Sequence, residues 1–223
     1  MKRLANKHAV VTQAGDFMGP AVCELFAKEG ADITTDASDL TRTEAAGELI
    51  GRAGRVDILI VNLMERNRRH TAAATGDQEW EAMFDVMVHP LHRLVRAVLP
   101  QMLERQSGKI VVMGSANALR GSTVRAAYSA ARGAQLAYVR NAGIEVAAKG
   151  VNINAIAQNW VANPTSYTPE IINAADFADR LKDVPVSRVA QGWESAALAL
   201  YLSSSESDFV CGQTFAFSGG WVT

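Results

Sequence analysis

Short apolar segments that alternate with helical patterns are the feature that most constrains the fold of this chain. The first three are residues 8–12 (HAVVT), 31–35 (ADITT) and 56–62 (VDILIVN), and amphipathic segments at 20–29 and 43–52 separate them. Strands that alternate with helices in this order form a parallel sheet with helices on both faces. The third apolar segment has no polar face, which indicates a strand buried on both sides.

The second half of the chain continues this alternation. A helical pattern covers residues 77–105, and Pro90 inside it should kink the helix. An apolar segment at 109–114 (KIVVMG) precedes an Ala-rich helix that ends near Gly150. We predict further strands at 151–157 and 214–217, a further helix at 193–203 and an irregular segment at 158–184. The sequence therefore predicts one Rossmann-like α/β domain over residues 1–223, with a doubly wound parallel sheet flanked by helices on both faces.

Composition excludes several classes of partner. The 223 residues carry a net charge of −1 and form no basic stripe, which argues against nucleic acid and anionic membranes. The basic cluster Arg66, Arg68, Arg69 and His70 follows a strand and is interpreted as a solvated loop. No apolar run approaches the ~20 residues of a membrane span.

Two cysteines, Cys23 and Cys211, are too few for a disulfide framework. With no signal peptide before the first strand, we expect a cytoplasmic protein. His89 and His92 share a helix face, but two histidines are a weak signal for a metal, so no metal site is expected.

Three residues around the Ala-rich helix form the candidate catalytic group. Ser115 follows the strand at 109–114, and Tyr128 and Arg132 are four residues apart, which puts them on one helix face. The carboxyl end of a strand in an open α/β sheet is where ligands bind. Alone, each residue would be explained by capping, packing or a solvated charge, but the spacing of all three together favours a proton-transfer site.

The chemistry of that group follows from pKa values. Free tyrosine has a pKa of about 10, and a cation within ~4–6 Å lowers it by about one to three units. Arginine does not lose its charge, so Arg132 can stabilise a phenolate at Tyr128 without exchanging a proton. Ser115 can orient a substrate oxygen through its hydroxyl.

The layout resembles the short-chain dehydrogenase/reductase family, whose first turn is T-G-x-x-x-G-x-G. Thr12 and Gly19 match the ends of that motif, but Gln13 and Phe17 replace its first two glycines. Glycines there let the backbone approach a pyrophosphate, and the Phe17 ring should enter the volume of the nicotinamide cofactor. We therefore expect no cofactor. Arg132 also stands where the family has a catalytic lysine.

Two motifs together, T-x4-[F/Y]-x-G and S-x12-Y-x3-R, resemble the halohydrin dehalogenases, an offshoot of that superfamily. The first motif is met by Thr12, Phe17 and Gly19, and the second by the candidate catalytic group. Similar stretches also occur at residues 88–102, 206–213 and 219–223.

The resemblance implies conversion of a vicinal halohydrin into an epoxide and a halide. Tyr128 would accept the hydroxyl proton, Ser115 would bind the substrate oxygen, and Arg132 would lower the pKa of Tyr128. In reverse, small anions such as azide, cyanide and nitrite would open epoxides. Members of the family are homotetramers, and we expect the same here. The resemblance further implies a halide pocket formed by Phe17, Gln158, Asn159, Trp160 and Val161, with Asn117 in the substrate pocket.

Some features depart from the family or leave alternatives open. Gln158 replaces a proline common in part of the family, and Leu63 stands where some members have an acidic residue. Backbone N–H groups near Trp160 are expected to bind the anion. The alternative role for Trp160 is that of an aromatic residue in the core or at an interface. The alternatives are a nicotinamide-dependent oxidoreductase that tolerates the altered first turn and a binding module without catalysis.

Overall fold

A computed structural model of the chain describes residues 2–65 and 69–223 and contains one six-stranded parallel sheet. The strand order is β2-β1-β3-β4-β5-β6, so the chain reverses its direction across the sheet between β1 and β3. This confirms the predicted doubly wound α/β fold. The strands are β1 (His8–Val11), β2 (Asp32–Thr35), β3 (Ile58–Val61), β4 (Gly108–Ser115), β5 (Val151–Gln158) and β6 (Thr214–Phe217).

Helices cover both faces of the sheet. They are α1 (Gly19–Lys28), α2 (Ala45–Ala53), α3 (Asp77–Met87), α4 (His89–Glu104), α5 (Ala126–Ala147), α6 (Pro169–Ile172), α7 (Phe177–Arg180) and α8 (Gly192–Ser203). Alternate residues of β3 contact opposite layers, since Leu59 packs with apolar residues of α2, α4 and α5 and Ile60 with those of α1 and α8. All of β3 is buried, as its unbroken apolar sequence predicts.

The prediction of one continuous helix at 77–105 is wrong. The chain forms α3 and α4, with a break at Val88. Pro90 lies in the first turn of α4, where its missing N–H and fixed φ are tolerated, so the proline begins a new helix instead of kinking an old one. The segment predicted as irregular, 158–184, includes the short helices α6 and α7.

Three further predictions concern the basic cluster, the two cysteines and membrane-spanning segments. Arg66 and Arg68 of the basic cluster are outside the described residues, whereas Arg69 and His70 are exposed. Neither cysteine forms a disulfide. Within residues 2–65 and 69–223, no helix combines the length and the apolar composition needed to cross a bilayer.

Helix α5 carries two of the candidate catalytic residues, and a glycine allows its close packing. A Cβ atom added at Gly143 would lie 2.6 Å from the backbone N and Cα of Gly212 and 3.0 Å from the carbonyl oxygen of Ile153. These are backbone atoms and cannot rotate aside. Gly133 on the same helix has no such neighbour within 4 Å.

The substitutions Gly143→Ala and Gly133→Ala are expected to change stability in opposite directions. Alanine is the better helix former by about 1 kcal/mol, so Gly133→Ala should stabilise the protein by up to about that amount. Gly143→Ala should destabilise it by about 1–3 kcal/mol, because the added methyl group overpacks the contact with Gly212. Urea unfolding of both variants measures the difference, and equal midpoints would contradict the close packing.

Candidate active site

The site lies at the carboxyl ends of the central strands β4 and β5. Ser115 and Gln158 are the last residues of these strands and stand side by side in the sheet register. Helix α5 packs against both strands and brings Tyr128 and Arg132 to this edge. Residues separated by 43 positions in the sequence are therefore neighbours because parallel strands end at the same edge.

A pocket of about 720 Å³ opens at this edge. Every residue predicted for the site lines it except Arg132, which lies behind the pocket and is completely buried. The predicted residues in the wall are Phe17, Ser115, Asn117, Tyr128, Gln158, Asn159, Trp160 and Val161. The structure thus brings together a phenol, a hydroxyl and several amide groups around one cavity.

The orientation of Ser115 is set by Asn117. The Ser115 hydroxyl oxygen accepts hydrogen bonds from the backbone N and from Nδ2 of Asn117, both at 3.3 Å. The Asn117 side-chain oxygen in turn accepts a hydrogen bond from Ser122 at 2.8 Å. Because the acceptor sites of the Ser115 oxygen are taken, its own proton is directed to another acceptor, such as a substrate oxygen.

Arg132 is a fully buried cation with neutral partners. Its Nη1 donates to the backbone carbonyl of Met113 at 3.0 Å and to Oε1 of Gln135 at 2.9 Å. Its Nε and Nη2 find no acceptor among the described residues, and no carboxylate there pairs with it. Its Cζ lies 5.2 Å from the centre of the Tyr128 ring. A buried charge is costly without a counter-charge, so this environment favours an anion next to Arg132.

The pKa of Tyr128 is lowered from the ordinary value for tyrosine. Burial alone would raise this pKa, because burial disfavours the charged phenolate. The positive charge of Arg132 lowers the pKa, and so do hydrogen bonds that Ser115 and Arg132 can donate to the phenolate; together these effects outweigh burial. Arg125 adds a smaller contribution of the same sign, and its Cζ lies 5.8 Å from the ring centre. Tyr128 is therefore the group in this site best suited to act as a base.

Sequence reasoning missed some pocket residues. Arg125 lies three residues before Tyr128 and is the residue immediately before α5, where its guanidinium stands over the Tyr128 ring. Trp221 also lines the pocket, and Arg120 holds it through a cation–π contact of 4.7 Å and a hydrogen bond to its carbonyl. Sequence spacing gives no signal for that contact.

Two neighbouring residues of the pocket wall, Gln158 and Trp160, each carry an unpaired side-chain N–H donor. The side-chain nitrogens of Gln158 (Nε2) and Trp160 (Nε1) are buried and have no acceptor among the described residues. The Gln158 side-chain oxygen is held by the hydroxyl of Ser195 at 2.6 Å. Such donors suit a small anion.

The backbone does not supply the predicted grip on an anion at two of its positions. The N–H of Asn159 donates to the carbonyl of Phe217, and that of Trp160 donates to the side chain of Asn159. Both amides are thus occupied within the protein. The side-chain donors of Gln158 and Trp160, by contrast, have no acceptor among the described residues.

Aromatic rings pack around Trp160. Trp160, Tyr167 and Phe177 contact one another pairwise, with ring centres 5.5–6.1 Å apart. Phe17 approaches from the first turn, and its ring centre is 5.9 Å from Cζ of Arg132. Trp160 and Tyr167 line the pocket, and the buried Phe177 packs against both of them from behind, so this part of the wall is apolar.

The first turn keeps the backbone shape of a glycine-rich loop without its glycines. Gln13 and Phe17 have φ values of 43° and 49°, which side chains rarely adopt. The Gln13 side chain bridges β1 and β3 by bonding both the N–H and the carbonyl of Met64. Phe17 lines the pocket at this point, so the turn carries side chains where a dinucleotide pyrophosphate needs bare backbone and does not fit that group.

Comparison with known proteins agrees with this geometry at the level of fold and family. The family model described as enoyl-(acyl carrier protein) reductase matches residues 6–222. A 3-oxoacyl-[acyl-carrier-protein] reductase of Vibrio harveyi is 26% identical over 242 residues, covering 97% of this chain and 98% of that protein.

Two solved structures share the whole fold. A structure named "dehalogenation enzyme" has a TM-score of 0.90 at 22% identity and covers 99% of this chain and 100% of its own. A 3-oxoacyl-[acyl-carrier protein] reductase from Brucella melitensis with bound NAD has a TM-score of 0.87 at 24% identity, with coverage of 98% and 93%. The family match spans nearly the entire sequence, and the chain therefore belongs to the short-chain dehydrogenase/reductase superfamily.

Proposed function

We propose that this protein is a halohydrin dehalogenase, a carbon–halogen lyase that works without a nicotinamide cofactor. The observation that carries the proposal is Tyr128 beside the buried, uncompensated charge of Arg132, in a pocket closed on the cofactor side by Phe17. A base of lowered pKa without room for a hydride carrier suits proton abstraction rather than hydride transfer.

The proposed reaction begins with the substrate hydroxyl between Ser115 and Tyr128. Ser115 donates a hydrogen bond to the substrate oxygen, and the phenolate of Tyr128 accepts the proton of the substrate hydroxyl. The oxygen then attacks the neighbouring carbon, and the halide leaves with the electron pair of the carbon–halogen bond. Oxygen, carbon and halogen must lie in line, so positioning supplies much of the rate. The proton on Tyr128 then passes to solvent.

The leaving halide is assigned to the corner formed by Gln158 and Trp160. Their unpaired N–H groups offer hydrogen bonds to an anion, and the aromatic wall excludes water. These side-chain donors take the place of the backbone amides of Asn159 and Trp160, which are occupied within the protein. By microscopic reversibility, a small anion in this corner can open an epoxide whose oxygen lies near Tyr128.

A nicotinamide-dependent oxidoreductase is the second candidate, because the Vibrio harveyi relative is named a reductase and the Brucella melitensis structure contains NAD. The side chains of Gln13 and Phe17 oppose it, since they occupy positions where a bound pyrophosphate needs bare backbone. Reduction of a ketone with added cofactor, without halide release from a halohydrin, would favour this candidate.

The assembly and location follow from the resemblance and remain part of the proposal. We expect a homotetramer in the cytoplasm, and the two unpaired cysteines suit a reducing compartment. Light scattering of the purified protein measures the mass of the assembly.

Halide release from 1,3-dichloro-2-propanol is expected in buffer without nicotinamide. The variant Tyr128→Phe keeps the ring but loses the base, so release should fall by at least about a hundredfold. Tyr138→Phe, which removes a hydroxyl elsewhere on α5, serves as the control and should retain activity. Undiminished release by the Tyr128 variant would contradict the proposed base.

The rate is expected to fall with decreasing pH, because only the phenolate of Tyr128 accepts the proton. The lowered pKa places this acid limb below the ordinary tyrosine value of about 10. Arg132→Met removes the cation and leaves burial to raise the pKa, so the limb should move to higher pH. Arg132→Lys keeps a charge and should move it less. Profiles of kcat/KM against pH measure both shifts, and superimposable profiles would rule out this role of Arg132.

Bromide is expected to inhibit as a product that occupies the Gln158 and Trp160 corner. Trp160→Phe removes one N–H donor while keeping an aromatic ring, and a hydrogen bond to a charged group is worth about 1.5–3 kcal/mol. The inhibition constant for bromide should therefore rise about tenfold or more. Trp193→Phe, at an exposed tryptophan, is the matched control. Equal inhibition of both variants would place the halide elsewhere.

A further inference from the structure

A buried amide behind the proposed base has no part in the proposed reaction. Gln135 lies on α5 three residues after Arg132 and is completely buried. Its Oε1 accepts the hydrogen bond from Nη1 of Arg132, and its Nε2 donates to the backbone carbonyl of Met87 at 2.6 Å. A buried polar side chain with both ends engaged is held in one orientation.

The partners determine which way the amide faces. The carbonyl of Met87 can only accept a hydrogen bond, so the NH₂ group of Gln135 must point to it and the oxygen must point to Arg132. Met87 is the last residue of α3, and a helix end leaves carbonyls without helical donors. Because α3 ends at Met87, before the break at Val88, the Met87 carbonyl is free to accept a hydrogen bond from Gln135 behind the site.

We propose that Gln135 is a positioning residue that holds the Arg132 guanidinium against Tyr128 while leaving its positive charge uncompensated. An amide oxygen orients the guanidinium through one hydrogen bond but carries no net charge. A carboxylate in its place would share the charge of Arg132 and weaken the attraction between Arg132 and the Tyr128 phenolate.

The remaining contacts of Arg132 agree with this role. Its second acceptor is the neutral carbonyl of Met113. Its Nε and Nη2, which have no acceptor among the described residues, remain available to donate hydrogen bonds to a phenolate at Tyr128. The charged or titratable residues that line the pocket around Tyr128 are Glu65, Arg69, Arg125, Tyr167, Glu170 and Arg180. None of these is altered in the test below, so they are constant across the variants.

The inference takes from the proposed function only that Tyr128 is the base, and it is tested on the free enzyme without substrate. The near-ultraviolet absorbance of phenolate is followed during a pH titration of the intact protein. The Tyr128→Phe variant supplies the baseline for the other three tyrosines. Two of them, Tyr138 and Tyr167, have raised pKa values because of burial and therefore titrate later.

The decisive comparison is between Gln135→Glu and Gln135→Met. Both lose the hydrogen bond to Met87, but only glutamate adds a negative charge beside Arg132. We expect the Tyr128 midpoint of Gln135→Glu to lie about one pH unit above that of Gln135→Met. Halide release well below both midpoints should then be about tenfold slower in the glutamate variant. Asn141→Asp adds the same charge at an exposed position of α5 and should leave the midpoint unchanged.

The methionine variant tests positioning by itself. It should lower kcat with little change in KM, because Arg132 loses an orienting contact that does not touch substrate. Equal midpoints for the glutamate and methionine variants, each folded by circular dichroism, would overturn the inference. Shifted midpoints without halide release from the unaltered enzyme would overturn the proposed function and support the role of Gln135.

Discussion

The buried charge of Arg132 is the interaction on which the site depends. Removing a guanidinium from water costs several kcal/mol, and among the described residues Arg132 donates just two hydrogen bonds, both to neutral oxygens. The remaining compensation is an anion next to it, and the phenol of Tyr128, with its ring centre 5.2 Å from Cζ of Arg132, is a group able to become one. The cost of burying Arg132 is thereby converted into a lowered pKa at Tyr128, because both properties arise from the same low-dielectric surroundings.

The first turn at this edge of the sheet carries side chains where the nucleotide-binding form of the fold has glycines. In the nucleotide-binding form of this fold, a bare backbone turn after β1 leaves room for a pyrophosphate. Here Gln13 and Phe17 keep positive φ values but fill that room with side chains. One side chain ties β1 to β3, and the other walls the pocket beside Arg132. The space next to Tyr128 becomes a small polar and aromatic chamber suited to a small substrate and an anion.

Much of the fold was predictable from local pattern. The alternation of strands and helices indicated the parallel sheet, since a segment such as residues 56–62 has no polar face and must be buried on both sides. The error at 77–105 has a local cause, because Pro90 suits a first helical turn as well as a kink, and sequence periodicity does not distinguish the two. The grouping of Ser115, Tyr128 and Arg132 was also predictable. Ser115 stands at the end of a strand, and Tyr128 and Arg132 are four residues apart on one helix.

The sequence by itself determined the strand and helix order, the three residues of the candidate catalytic group and the loss of glycines in the first turn. Tertiary structure alone decided the partners of those residues. The contact of Gln135 with Met87 joins two helices far apart in sequence, and the pocket position of Trp221 depends on Arg120. It also decided that the backbone amides of Asn159 and Trp160 are occupied, while the side-chain donors of Gln158 and Trp160 have no acceptor among the described residues. Periodicity reports which face of an element is buried, whereas hydrogen-bond partners depend on how elements pack, and no local pattern encodes that.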